Sequence, residues 1–147
     1  MRVLVCGGRD FGNISRHWTL GKPTDLEDIK KYNFILRYLD AKFVPYDEQT
    51  EDPSTWLPPS DLVIISGAAT GVDKAAIDWA IVNWCMFEEY PADWDKHGKA
   101  AGHIRNKQML EEGKPDLVIA FPGGRGTANM IQQAKKANVP VEEVTYQ

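Results

Sequence analysis

Leu117-Val118-Ile119-Ala120-Phe121-Pro122-Gly123-Gly124-Arg125-Gly126-Thr127 decides the fold: an unbroken apolar run gives way to a glycine loop, and a helical pattern follows. Apolarity that does not alternate marks a strand buried on both faces, the habit of parallel sheets. Beyond the loop, Thr127 to Ala137 places Met130, Ile131 and Ala134 on one side of a helix. The same order recurs twice upstream. Val3 to Cys6 leads into Gly7-Gly8-Arg9, and Leu62 to Ile65 leads into Ser66-Gly67-Ala68-Ala69-Thr70-Gly71-Val72-Asp73. A helix over Val72 to Val82 then carries Ala75, Ala76, Trp79, Ala80 and Val82 on one side.

The remaining stretches complete the alternation. Cys85 to Phe87 lies in a weaker apolar run, and Val139 to Val144 reads as a last short strand. Thr24 to Leu39 reads as a helix, with Thr24 as N-cap and Glu27 three residues on in a capping-box pattern. Another helix runs from about Lys99 to Glu112 and ends at Gly113 in a left-handed C′ conformation, with Pro115 soon after. Strands alternating with helices imply βαβ units with right-handed crossovers. The expected architecture is α/β: one doubly wound domain over residues 1–147, with about five mainly parallel strands and helices on both faces. Two segments stand outside it, the polar stretch 11–23 and the proline-rich, acidic stretch 44–60. Both read as decorated surface loops, with a lid over a pocket as the sharper alternative.

Composition removes several classes. With 147 residues, 43% hydrophobic and 26% charged, the chain is neither disordered nor a membrane bundle, and it buries a core without staples. Lys and Arg total 17 against 21 Asp and Glu, a net charge of −4, which denies a general nucleic-acid binder the basic face it needs. Cys6 and Cys85 each sit in an apolar run and read as buried, reduced thiols without a disulfide. The apolar run after Met1 is too short for a signal peptide, and no stretch approaches the ~20 residues that span a bilayer. A cytoplasmic location is the default expectation. His97 and His103 lack metal-ligand spacing, so no metal site is expected.

Chemistry concentrates in the three glycine loops, which should emerge together at strand C-terminal ends. That edge is where open α/β sheets bind ligands, and helix N-termini there offer free N–H groups and partial positive charge to an anion. Phosphate is the fitting anion. Gly7, Gly8, Gly67, Gly71, Gly123, Gly124 and Gly126 let a backbone approach closely, with Pro122 opening the last loop, while Ser66, Thr70 and Thr127 add hydroxyls. Arg9, Arg105 and Arg125 are the candidate cations, since a guanidinium fork grips phosphate with two bonds. Asn106 beside Arg105 supplies amide groups for a base or ribose. Neither Gly-x-Gly-x-x-Gly at the first turn nor Gly-x-x-x-x-Gly-Lys-Ser/Thr occurs, which disfavours dinucleotide dehydrogenases and P-loop NTPases.

At these motifs the chain resembles the Rossmann-like SLOG superfamily, which contains the Lonely Guy phosphoribohydrolases and the DNA-processing protein A family, and within it the YspA-like group. The resemblance rests on Val5 to Asp10, Ser66 to Asp73, Tyr90-Pro91-Ala92-Asp93-Trp94, Gly98 to Gly102, Arg105-Asn106 and Pro122 to Thr127. It implies a nucleotide or nucleotide-derived ligand at the strand ends, with the Pro-Gly-Gly-x-Gly-Thr loop on phosphate and Arg105 beside it. It also implies self-association as a homodimer or higher homo-oligomer. One departure is informative. Lonely Guy enzymes follow the loop with glutamate that helps cleave an N-glycosidic bond, whereas this chain has Ala128-Asn129-Met130. Neither Asn129 nor Met130 ionises, so a hydrolase would need a substitute among Asp10, Asp73, Asp93 and Asp95.

Three functions therefore compete. The first is binding or sensing of a nucleotide-like ligand. The second is an N-glycosidase acting on nucleoside monophosphates, with Asp73 or Asp93 as acid and Arg105 in support. The third and weakest is single-strand nucleic-acid binding through Trp94, Arg105 and Lys107.

Overall fold

The computed structural model describes residues 1–14, 25–45, 52 and 56–147. Five strands, β1 (Arg2–Cys6), β2 (Val63–Ser66), β3 (Met86–Glu89), β4 (Leu117–Ala120) and β5 (Val141–Glu143), form one sheet in the order β3-β2-β1-β4-β5. Every neighbouring pair is parallel. The helices are α1 (Leu26–Phe43), α2 (Val72–Val82), the single turn α3 (Trp94–His97), α4 (Ala101–Gly113) and α5 (Arg125–Lys136). A 3₁₀ turn, Gly98–Ala100, joins α3 to α4. The expected Rossmann-like α/β architecture is thus observed.

Side-chain alternation along the central strands divides the core between the two faces of the sheet. Val3, Val5, Ile64 and Ile119 pack with Ile35 and Leu39 of α1 and Trp79 of α2. Leu4, Cys6, Ile65 and Val118 pack with Met109 of α4 and Met130 and Ala134 of α5. Both faces being covered is what the continuous apolar runs encode. Chain order reverses direction between β1 and β4, because the chain leaves β1 toward β2 and later returns to β1's other side. A crevice opens outside the carboxyl ends of strands at such a reversal.

Several local expectations are corrected. Asp25 caps α1, accepting a hydrogen bond from the Glu27 N–H at 2.9 Å, one residue after the Thr24 expected there. Thr24 itself lies outside the described residues, as do most of the two expected loops or lids, 11–23 and 44–60. At the end of α4 the left-handed residue is Lys114, not Gly113. Gly113 instead closes the helix against β2, where a Cβ would stand 3.2 Å from the Ile65 Cδ1. Val82 does not join the buried side of α2 and is 75% exposed, while Val72 and Ile77 are buried. The strand expected over Cys85 to Phe87 is shifted to Met86–Glu89, and Met86 and Phe87 are exposed because β3 is an edge paired only with β2. Among the described residues no helix is long and apolar enough to cross a membrane.

Candidate functional site

At the β1–β4 reversal the loops that leave these strands meet directly. The Gly8 N–H donates to the Pro122 carbonyl at 2.9 Å, joining the segment after β1 to the segment after β4. Between them and α4 lies a basin of about 620 Å³. Gly7, Gly8 and Arg9 line it from one side and Pro122 to Thr127 from the other, so two of the three expected loops converge. Gly124 is the N-cap of α5, no side chain caps that terminus, and a Cβ at Gly124 or Gly126 would meet nothing within 4 Å. This end of α5 therefore presents backbone and open space to the basin. A helix terminus of that kind favours an anion.

The loop after β2 behaves differently. Of residues 66–71 only Ala69 lines the basin. Ser66 is buried, its hydroxyl donating to the Asp73 carbonyl at 3.1 Å and accepting from the Ala68 N–H at 3.3 Å. Thr70 donates its hydroxyl to the Arg9 carbonyl at 3.2 Å. Gly71 takes φ +75°, and a Cβ there would run into the carbonyls of Gly8 and Arg9. Gly67 leaves room for the Arg105 guanidinium, which donates to the Gly67 carbonyl. The loop's glycines thus serve internal packing, and it buttresses the first loop.

Arg105 and Asp73 meet at the base of the basin. Arg105 comes from the first turns of α4, also reaches the Tyr90 carbonyl at 3.4 Å, and donates through Nε to Asn106 Oδ1 at 3.2 Å. Burial works against its charge, and Asp73 supports it. Asp73, in the first turn of α2, is 6% exposed and accepts from the Ala69 N–H at 3.2 Å. Burial raises its carboxyl to about 6, while Arg105, the Ala69 N–H and Arg9 pull the other way. Cys6, at the end of β1, is a free thiol driven far above its ordinary range, first by burial and then by Asp73.

Asn106 lines the basin and is also bonded within the fold. It is 4% exposed, and its Nδ2 donates to the Gly126 carbonyl and to Asn129 Oδ1, both at 3.1 Å. Asn129, where the phosphoribohydrolases bear glutamate, also accepts from Gln133 Nε2 at 2.7 Å. Met130 is fully buried beneath the basin. Asp93 lies outside the lining and caps α3, accepting from the Lys96 N–H at 3.0 Å. Trp94 and Arg105 line the basin, whereas Lys107 does not and is paired to Glu111 at 3.8 Å.

Sequence reasoning missed three wall residues. Phe11 and Lys31 line the basin, with the Lys31 Nζ 5.5 Å from the Phe11 ring centroid, and Met109 contributes apolar floor. No motif announces Lys31, since only the fold brings α1 beside the loop after β1. Trp94 is 46% exposed at the rim, and the Arg9 guanidinium lies over its ring at 4.7 Å. Among the described residues no group of three or more His, Cys, Asp or Glu is arranged to hold a metal ion.

Comparison with known proteins adds a family. Residues 54–97 match the family model described as "YspA, cpYpsA-related SLOG family". The Gene 61 protein of Mycobacterium phage D29 is 41% identical over 93 residues, spanning 56% of this chain and 71% of that protein.

Proposed function

Because the chain belongs to the YspA, cpYpsA-related SLOG family, we propose that its basin binds a nucleotide or nucleotide-derived ligand by a phosphate group at the N-terminus of α5. One observation carries this reading. The α5 terminus has no side-chain cap, is faced by open space at Gly124 and Gly126, and lines the basin together with Arg9 and Arg125. Backbone N–H groups and the helix dipole would hold the phosphate there, with Arg125 and the Thr127 hydroxyl beside it. Binding without turnover, as a sensor or a carrier, agrees with Asn129 and Met130 standing where glutamate would act. The ligand is a small molecule and the protein acts as a homo-oligomer; the apolar side chains exposed around β3, Trp84 and Met86 among them, support self-association.

The test is thermal unfolding against nucleoside mono-, di- and triphosphates. A ligand at 100 times its Kd adds about 2.7 kcal/mol, and about 2 to 4 °C per kcal/mol at this size makes the expected rise roughly 5 to 11 °C. Gly124→Ala should keep the unliganded Tm and weaken binding at least about tenfold, because its methyl group occupies the phosphate position. A flat panel sinks the reading.

A second reading rests on Asp73. A basin-lining carboxyl raised to about 6 suits a general acid at neutral pH, which is what an N-glycosidase needs at its leaving group. It predicts free base and ribose 5-phosphate from nucleoside monophosphates by chromatography. No release from any purine or pyrimidine monophosphate removes it.

A further inference from the structure

Among the described residues, cations gather along the lining of the basin. Outside it, among the described residues, several cations are ion-paired: Arg2 with Glu88 at 2.6 Å, Lys42 with Glu142 at 2.8 Å, Lys74 with Asp78 at 3.0 Å. Inside, Arg9, Lys31, Lys99 and Arg125 line one cavity, and among the described residues no ion pair engages any of them. Arg105 and Asp73 offset each other, so among the described lining residues Asp10 is the other acid set against those four cations. The described lining therefore carries a formal excess of three positive charges in a chain whose net charge is −4.

A single phosphate monoester brings roughly −1.5 to −2 charges at neutral pH and leaves part of that excess unanswered. Linking a second phosphate adds about one more full charge, which closes the difference. Geometry also separates two cationic stations. Arg125 belongs to the α5 terminus, whereas Lys31 is held on the opposite element, α1, over the rings of Phe11 and Tyr146 at 5.5 and 5.9 Å. The contact between Gly8 and Pro122 joins the loop bearing Arg9 and Phe11, over whose ring Lys31 lies, to the loop bearing Arg125. We infer that the ligand carries two linked phosphates, one at the α5 terminus with Arg125 and the other at Lys31 and Arg9, so that Lys31 sets a preference for diphosphate over monophosphate. This rests on the nucleotide-binding reading and names the ligand's anionic class.

The experiment is calorimetric titration of the full chain with four probes: inorganic phosphate, pyrophosphate, AMP and ADP. Pyrophosphate should bind about tenfold or more tightly than phosphate, and ADP than AMP, with both ratios shrinking as salt rises because a partly open basin is screened. Lys31→Ala should cut the ADP-to-AMP ratio to about threefold or less. Lys31→Gln, which keeps the aliphatic stem over Phe11, controls for packing and should cut it equally. Equal affinities for AMP and ADP, or a ratio untouched by both variants, overturn the inference while leaving the nucleotide site standing. Binding of none of the four probes overturns the underlying reading as well. Tighter binding of a single-stranded oligonucleotide than of any nucleotide overturns it in favour of a longer polyanion.

Discussion

The segments after β2 and after β4 look alike as sequence, each a glycine-rich turn from strand to helix, yet the fold uses them in opposite ways. Residues 66–71 are filled from within: Arg105 occupies the space beside Gly67, and the carbonyls of Gly8 and Arg9 press on Gly71. Residues 122–127 leave Gly124 and Gly126 facing open space at an uncapped helix end. Strand order explains the difference. β4 lies at the reversal next to β1, where a crevice must open, whereas β2 follows β1 in the same direction and its loop packs against the first. Similar glycine-rich turns therefore differ in what surrounds them: the protein's own atoms at Gly67, Gly71 and Gly123, open space at Gly124 and Gly126.

The hardest blow to this contrast is a matched pair of alanines. Gly71→Ala forces a Cβ onto a residue at φ +75°, 2.7 Å from the Arg9 carbonyl carbon. Left-handed strain and the clash together should cost about 2 to 4 kcal/mol, a Tm loss of roughly 4 to 16 °C. Gly124→Ala should stay within about 0.5 kcal/mol of the parent, since its methyl group meets nothing in the fold. Equal losses in the two variants, read by thermal unfolding, would erase the distinction.

Behind the filled loop, the first turn of α2 holds a buried carboxyl whose ionisation pH controls. Burial raises Asp73 from 3.8 to about 6 in the folded chain, so its ionised form is the disfavoured one. Below about pH 4 the carboxyl is protonated both folded and unfolded, and its contribution to stability is fully present. That contribution is lost as pH rises through about 6, where the folded carboxyl finally ionises. At about 1.4 kcal/mol per pH unit the loss is roughly 2 to 3 kcal/mol. Asp73→Asn cannot ionise, so urea midpoints at pH 4 and pH 7 should converge by that amount relative to the parent. An unchanged pH profile would mean that Asp73 is better solvated than its burial implies.

The same contrast shows what the sequence could disclose. Apolar runs at Val3, Leu62 and Leu117 locate the three central strands because both faces of each are covered, and that property is written in composition. Strand β3 was displaced because an edge strand has no such requirement. The loops at 122–127 and 66–71 read alike in sequence, since nothing local tells a glycine that admits Arg105 from one that faces open space. Asn106 reads as a ligand donor by adjacency to Arg105, and in the fold it lines the basin beside Arg105 while its amide also bonds Gly126 and Asn129, partners the sequence does not announce. Lys31 was invisible because its position depends on where α1 docks.

The smallest effect is the most discriminating. Gly126 lies in the first turn of α5, inside the helix, and a Cβ there would touch nothing within 4 Å. Glycine in a helix costs roughly 0.5 to 1 kcal/mol against alanine through its unfolded-state freedom, so Gly126→Ala should raise Tm by about 1 to 4 °C. Asn106 bonds the Gly126 carbonyl, which the substitution keeps, so that clamp survives. A loop selected for stability alone would already carry the alanine. If the open glycine instead serves a ligand, the variant that gains stability should lose part of the thermal shift given by AMP or ADP. Stability gained with undiminished ligand shift would make Gly126 a passive vacancy and confine the phosphate site to Gly124 and Arg125.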